Sequence, residues 1–189
     1  MDHVFELSAP SLLLAMPQIQ DPFFHRGVVL LLAHEEDGSF GLVVNRPSNL
    51  RVRDILEDLD IAWGGNAAAT AFVGGPVQPQ RGTVLFPAEE PLDDDSTEIV
   101  PGVAISQSLT SLGLRAPTPS ANLRLVLGYA GWSAGQLAGE IMSNDWLVAP
   151  ASPEAVFSDP ALAWERALLS VGIDPNTLPT WTDASSSAN

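Results

Sequence analysis

The chain contains no cysteine and no lysine. The first absence excludes disulfides, thiolate nucleophiles and cysteine–zinc centres. The second leaves arginine as the only strongly basic side chain, at positions 26, 46, 51, 53, 81, 115, 124 and 166. Arginine's planar fork suits fixed, bidentate contacts. Eight scattered arginines stand against 23 Asp and Glu, a net charge of −15. Phosphate backbones select clustered positive charge, so direct nucleic-acid binding is disfavoured. An anionic membrane surface is disfavoured for the same reason. Long apolar runs are also missing. Leu12 to Met16 is stopped by Pro17, well short of the ~20 residues that span a bilayer. The start, Met1-Asp2-His3-Val4-Phe5-Glu6, lacks the positive region of an export signal. The expectation is a cytoplasmic protein without membrane attachment. No G-x-G-x-x-G or phosphate-loop lysine occurs, and no cofactor is expected.

What is present is an ordinary globular composition. The 189 residues are 46% hydrophobic, enough for one domain that buries about 70% of its unfolded surface. We expect a single domain over residues 1–181 and a disordered polar tail over 182–189. Strands are expected at 12–16, 27–33 and 40–45, the last two joined through the turn pair Asp37-Gly38. Pro47-Ser48 should break the third strand. Val52, Ile55, Leu56 and Leu59 recur at helical spacing. Short strands are expected at 71–73, 83–86, 103–105, 123–127 and 146–149. Helices are expected near 107–112 and 134–143, after Ser152-Pro153, and from Asp159-Pro160 to about Gly172. Residues 91–98, with Asp93-Asp94-Asp95, read as an exposed acidic loop. Strands dominate early and helices enter later, which favours an α+β fold.

Gly131-Trp132-Ser133-Ala134-Gly135 matches G-x-S-x-G between an expected strand and an expected helix, the context of a hydrolase nucleophile elbow. That fold needs a histidine after the serine, yet His3, His25 and His34 all precede Ser133. A serine hydrolase would therefore have to use Ser133 with His25 or His34 in another chain order. The alternative is structural. Ser133-Ala134-Gly135-Gln136 has the form of a capping box, with the hydroxyl accepting a helix N–H and Gln136 reaching back. The residues favour capping.

Other clusters are read against their plainest role. His34-Glu35-Glu36-Asp37 lacks metal-ligand spacing and sits at an expected hairpin tip, where solvated charge is normal. Asp93-Asp94-Asp95 lacks the calcium-loop glycine and closing glutamate. Gly74-Gly75-Pro76 reads as a tight bend. In Asp21-Pro22-Phe23-Phe24-His25-Arg26, the two aromatics of an extended segment would face opposite sides, and Asp21 would pair with Arg26 or anchor a turn. Five tryptophans, at 63, 132, 146, 164 and 181, read as core and rim. Trp132 and Trp146 flank one helix and would close one end of a pocket.

Several blocks together resemble the AlgH/YqgE family. Asp21 to Val29 resembles its D-x-F-F-x-R-S-V signature, and Gly41-Leu42-Val43-Val44-Asn45-Arg46-Pro47 its G-L-V-L-N-R-P block. Gly74-Gly75-Pro76-Val77 follows, then Gly128-Tyr129-Ala130-Gly131-Trp132, Gly135-Gln136-Leu137 and Asn144-Asp145-Trp146-Leu147. The blocks run in family order from about residue 9 to 175. Gly27 departs from the signature serine, and the cysteine of some members is absent. The resemblance implies an α+β fold on a bifurcated, partly barrel-like mixed β-sheet surrounded by helices, in a bacterial cytosolic protein. It implies no settled activity. Members carry a transcriptional-regulator label from a link to alginate production, without a DNA-binding mechanism. Members often have another residue where Ser133 stands. The expected function is a non-catalytic binding or regulatory domain acting on a protein partner or a small-molecule ligand. The expected groove residues come from the motif blocks: Phe23, His25, Arg26, Asn45, Arg46, Gly74, Gly75, Tyr129, Trp132 and Asn144. No catalytic or metal residues are assigned.

Overall fold

In the computed structural model, residues 7–88 and 91–180 are described. The expectations for His3, Trp181 and the tail at 182–189 lie outside them.

Ten strands form one branched, curled sheet. Ser11–Ala15 (β1), Val28–Glu35 (β2) and Gly38–Val43 (β3) are apolar runs that pair antiparallel in chain order. The β2–β3 turn is Glu36-Asp37, one residue earlier than expected, and Glu35 pairs with Gly38. Pro47–Arg51 (β4) is a strand where the sequence suggested only a break. Proline is tolerated at the first residue of a strand, and Pro47 pairs with Phe72 of Thr70–Val73 (β5). Val52–Glu57 (α1) lies between them.

Val77–Pro87 (β6) is much longer than the segment expected at 83–86. Ser96–Val100 (β7) and Val103–Ser106 (β8) follow, so the acidic loop ends at Asp95 rather than Glu98. Leu109–Arg115 (α2) is capped by Ser108, whose oxygen accepts the N–H groups of Thr110 and Ser111. Arg124–Ser133 (β9) carries straight through the glycine–aromatic block. Gln136–Met142 (α3), Trp146–Ala149 (β10), Pro153–Val156 (α4) and Ala163–Ser170 (α5) complete the order, with a 3₁₀ turn at Pro175–Thr177.

The main path is β10-β1-β2-β3-β9-β6-β8-β7, with β4 and β5 branching from β9. Strand β9 is the fork. Its last third pairs with β3, and its first half pairs antiparallel with β6 and parallel with β5. That parallel pair makes the sheet mixed, as the family resemblance implies.

The curl separates three apolar layers. The inner layer takes residues from both arms: Leu12, Leu14, Val28, Leu30, Leu42 and Val44, then Leu85, Val103 and Val126. Trp164, Ala167 and Leu168 of α5 plug one end of it. On the outside, α3 packs Leu137 on Leu13, Val29, Leu31 and Trp132. Helices α1 and α2 cover Val84, Phe86 and Leu125. Leu12, Leu14 and Leu13 alternate between layers because successive strand side chains point to opposite faces.

Candidate functional site

The inner layer is plugged by α5 at one end and opens into a groove of about 620 Å³ at the other. Leu42 belongs to both the inner layer and the groove wall. Phe40 and Leu42 of β3 lie two residues apart on one face, and Phe40 is 40% exposed. Its ring meets Tyr129 of β9 edge-on, with centroids 6.1 Å apart. Gly131, two residues beyond Tyr129, leaves the floor open.

Both walls carry strand irregularities. On β2 the register slips between Leu31 and Ala33, next to the lining residue Leu32. On β6 the departure is larger. Val77 pairs with Tyr129 and Gly82 with Leu127, so four residues, Gln78 to Arg81, stand opposite the single residue Gly128. The arch is made by positive φ at Gln78 (46°) and Gly128 (74°). Extra residues of this kind bend a strand and re-aim its side chains. Here the re-aimed side chain is Arg81. Its guanidinium lies 5.9 Å from the Tyr129 ring centroid and donates to Gln107 Oε1 at 2.5 Å. Gln107 in turn donates to Thr83 Oγ1 at 3.4 Å. Among the described residues Arg81 has no carboxylate partner.

Of the sequence-expected residues, Tyr129 and Trp132 line this groove. Trp132 and Trp146 do not close it as a pair. They stack edge to face at 5.9 Å, and both indole N–H groups donate to Glu140 Oε2 of α3 at 2.9 Å. Gly74 and Gly75 hold up the arch from beneath. A side chain at Gly75 would come within 2.2 Å of the Tyr129 backbone carbon. Asn144, with φ 59°, ends α3, and its carbonyl accepts from Gln18 at 2.6 Å.

Phe23, His25, Arg26, Asn45 and Arg46 gather elsewhere. Residues 22–26 form a turn rather than an extended segment. Asp21 anchors it by accepting the Phe23 N–H at its carboxylate and the His25 N–H at its carbonyl. Phe23 is exposed, while Phe24 packs edge-on against Trp146. Asn45 clamps the turn's exit, accepting from Val28 N–H and donating to the Arg26 carbonyl, both at 2.9 Å. The Arg46 guanidinium donates to the carbonyls of His25 and Phe23, and burial lowers its pKa. Arg26 leaves Asp21 alone, lying 5.1 Å from the Trp164 ring centroid and 3.8 Å from Glu165. Asn45 and the Arg46 Nη2 thus bond to this chain's own backbone, while the buried Arg46 Nε has no partner among the described residues.

Ser133 is not the helix N-cap. That position is Gly135, with φ 74° and no side-chain bond. Half of the expected box forms: Gln136 Oε1 accepts the Ser133 N–H at 3.0 Å. The hydroxyl then donates to the same oxygen at 3.2 Å instead of accepting from the helix. Neither described histidine bonds to it. His25 Nδ1 lies 3.1 Å from the Ile19 carbonyl, and His34 Nδ1 lies 2.6 Å from Ser39 Oγ.

Several consequential residues were not singled out from sequence. Arg81, Phe40 and Gln107 carry no motif. Pro79 inside an otherwise strand-like run was the available signal of a bulge. Arg124 is buried and donates to the carbonyls of Val44, Val156 and Ser158, tying β3 to α4. Burial pulls its pKa down to about 10, against the opposing charge of Asp159. Arg115, also buried, bonds Asp93 at 3.2 Å and lies 3.9 Å from the Phe86 ring centroid.

The profile of the AlgH-like family matches residues 12–176. A UPF0301 protein of Myxococcus xanthus is 43% identical over 173 residues, covering 90% of this chain and 94% of its own. One from Ruegeria pomeroyi is 42% identical, covering 86% and 91%. The solution structure of the AlgH protein from Pseudomonas aeruginosa superimposes with a TM-score of 0.68 at 35% identity, over 89% of this chain and 94% of that one. A crystal structure from Corynebacterium diphtheriae gives 0.72 at 25% identity, over 87% of each. Fold, motif order and both kinds of similarity agree that this chain belongs to the AlgH-like family.

Proposed function

We propose that this chain is a single-domain, non-catalytic binding module of the cytoplasm. It regulates by taking a small molecule or a short segment of a partner protein into the groove at the open end of the half-barrel. One observation carries this reading: an aromatic-floored groove of about 620 Å³ beneath an arch of β6 that turns Arg81 over Tyr129. Ligand sites typically occupy about 300–1,000 Å³ and combine apolar walls with a few placed polar groups. Nothing about the regulator label of the family calls for DNA contact, and the −15 charge opposes it.

A ligand that binds only the folded state raises its melting temperature by mass action. A fragment panel scanned by thermal shift is therefore expected to stabilise the wild type and to lose that effect in a Phe40→Ala/Arg81→Gln double variant. Equal stabilisation of both proteins, or of neither, would refute the groove as the binding site.

A further inference from the structure

Building on the groove reading, we infer that the groove is shaped for a short zwitterionic peptide of about three residues, its carboxylate on Arg81 and its ammonium toward Glu35 and Asp37. The charges on the groove wall lead to this. Arg81 stands at one side, on β6, and Glu35 and Asp37 at the other, at the β2–β3 tip. All three line the same groove, and among the described residues none forms an ion pair. Among the arginines without a carboxylate partner, Arg81 is the one that lines this groove.

The spacing explains why these groups do not neutralise each other. Strands β3 and β9 lie between β2 and β6, about 14 Å across the sheet, and Glu35 is level with Ser133 of β9 while Arg81 stands opposite Gly128, about 16 Å along it. An extended tripeptide spans roughly 10 Å, and the long Arg81 and Glu35 side chains, reaching toward each other along the diagonal, cover about as much again. The guanidinium fork gives a carboxylate two parallel donors, and Gln107 fixes its orientation. Between the charged ends the walls are apolar and aromatic: Phe40, Tyr129, Leu42 and Val77. Side chains of a bound peptide would rest there, with Gly131 leaving room at the floor. The site discriminates by charge at both ends, so an unblocked peptide is accepted and a chain interior is not.

Calorimetric titration of the full chain with trileucine, N-acetyl-trileucine and trileucine amide tests this. Trileucine is expected to bind the wild type. Amidation should weaken binding roughly tenfold, the scale of one charge-assisted contact, and should have no further effect in Arg81→Gln. Acetylation should weaken binding similarly in the wild type and have no further effect in Glu35→Gln/Asp37→Asn. All these positions are exposed at the rim, so the variants are expected to keep the wild-type circular dichroism spectrum and melting temperature. Equal affinity for all three peptides, or blocked forms binding better, overturns the inference. So does a failure of trileucine to bind while uncharged fragments still stabilise the wild type through Phe40 and Arg81, a result that leaves the groove reading intact. Absence of binding in both experiments removes both readings.

Discussion

At the scale of single residues, the family-like motifs are mostly scaffolding. Asn45 shows how. It is 7% exposed, and its carboxamide satisfies one backbone donor and one backbone acceptor across 17 and 19 residues of chain. Removing it leaves the buried Val28 N–H unpaired, at about 1–3 kcal/mol, and takes the partner from the half-buried Arg26 carbonyl. Asn45→Ala is expected to lower the denaturant midpoint by an amount equivalent to about 2 kcal/mol or more, with an unchanged slope. Ser133 is the converse case. The sequence places it at a helix start, and a capping role would make Ser133→Ala cost about 1 kcal/mol. Its hydroxyl instead donates to an exposed glutamine, so the same substitution should stay within about 0.5 kcal/mol. The pattern could not separate these outcomes, because the backbone puts Gly135, at φ 74°, in the cap position, and residue type alone does not record that. Arg81 was illegible for a similar reason. Its placement over Tyr129 arises from the slip in strand register between Val77 and Gly82, within which it lies.

At the scale of elements, periodicity read the apolar strands well. Segments β1, β10 and the first half of β2 are near-continuous apolar runs packed on both faces, β3 becomes so over Gly41–Val43, and the sequence marks their existence and approximate extent. It misread β4 and β7, which are polar and exposed and are held by pairing rather than by burial. The β6 arch depends on Gly128, which sits at φ 74° where an added Cβ would lie 2.6 Å from the Gly75 carbonyl. Gly131, three residues along the same strand, meets nothing closer than 3.7 Å. Gly128→Ala is therefore expected to cost at least ~2 kcal/mol in thermal or chemical unfolding, and Gly131→Ala to leave stability nearly unchanged. The loop before β7 gives a pH prediction. Burial alone would raise the Asp93 pKa, but hydrogen bonds from Ser111, Ser96 and the Asp95 N–H, together with the Arg115 charge, hold it below 3.8. A carboxyl depressed in the folded state leaves the unfolded chain binding more protons, so its stabilisation is present above 3.8 and is lost on acidification through the folded value. Asp93→Asn should flatten the acid limb of the stability curve below pH 3.8 relative to the wild type, as measured by urea unfolding against pH.

At the scale of the whole molecule, composition and motif order carried the fold class and the family, and the branching of the sheet entered through the resemblance. What the sequence left hidden was the division of labour between two ends of a half-barrel. The Phe23 to Arg26 turn, with Asn45 and Arg46, lies beside α5 at the plugged end. The groove lies at the open end, built largely from residues without a motif. A long-range property of this kind requires β9 to pair with three strands at once, and no local pattern records that. The composition does supply a probe. Tyr129 is the sole tyrosine, and its ring lies under the arch beside Phe40 and Arg81. Protein labelled with 3-fluorotyrosine therefore gives one ¹⁹F resonance, at the floor of the groove. Titrated with a filtered low-mass bacterial extract, that resonance is expected to shift in the wild type and to stay in place in Arg81→Gln. A resonance that never moves, or that moves alike in both proteins, would contradict the claim that this groove is where the molecule binds.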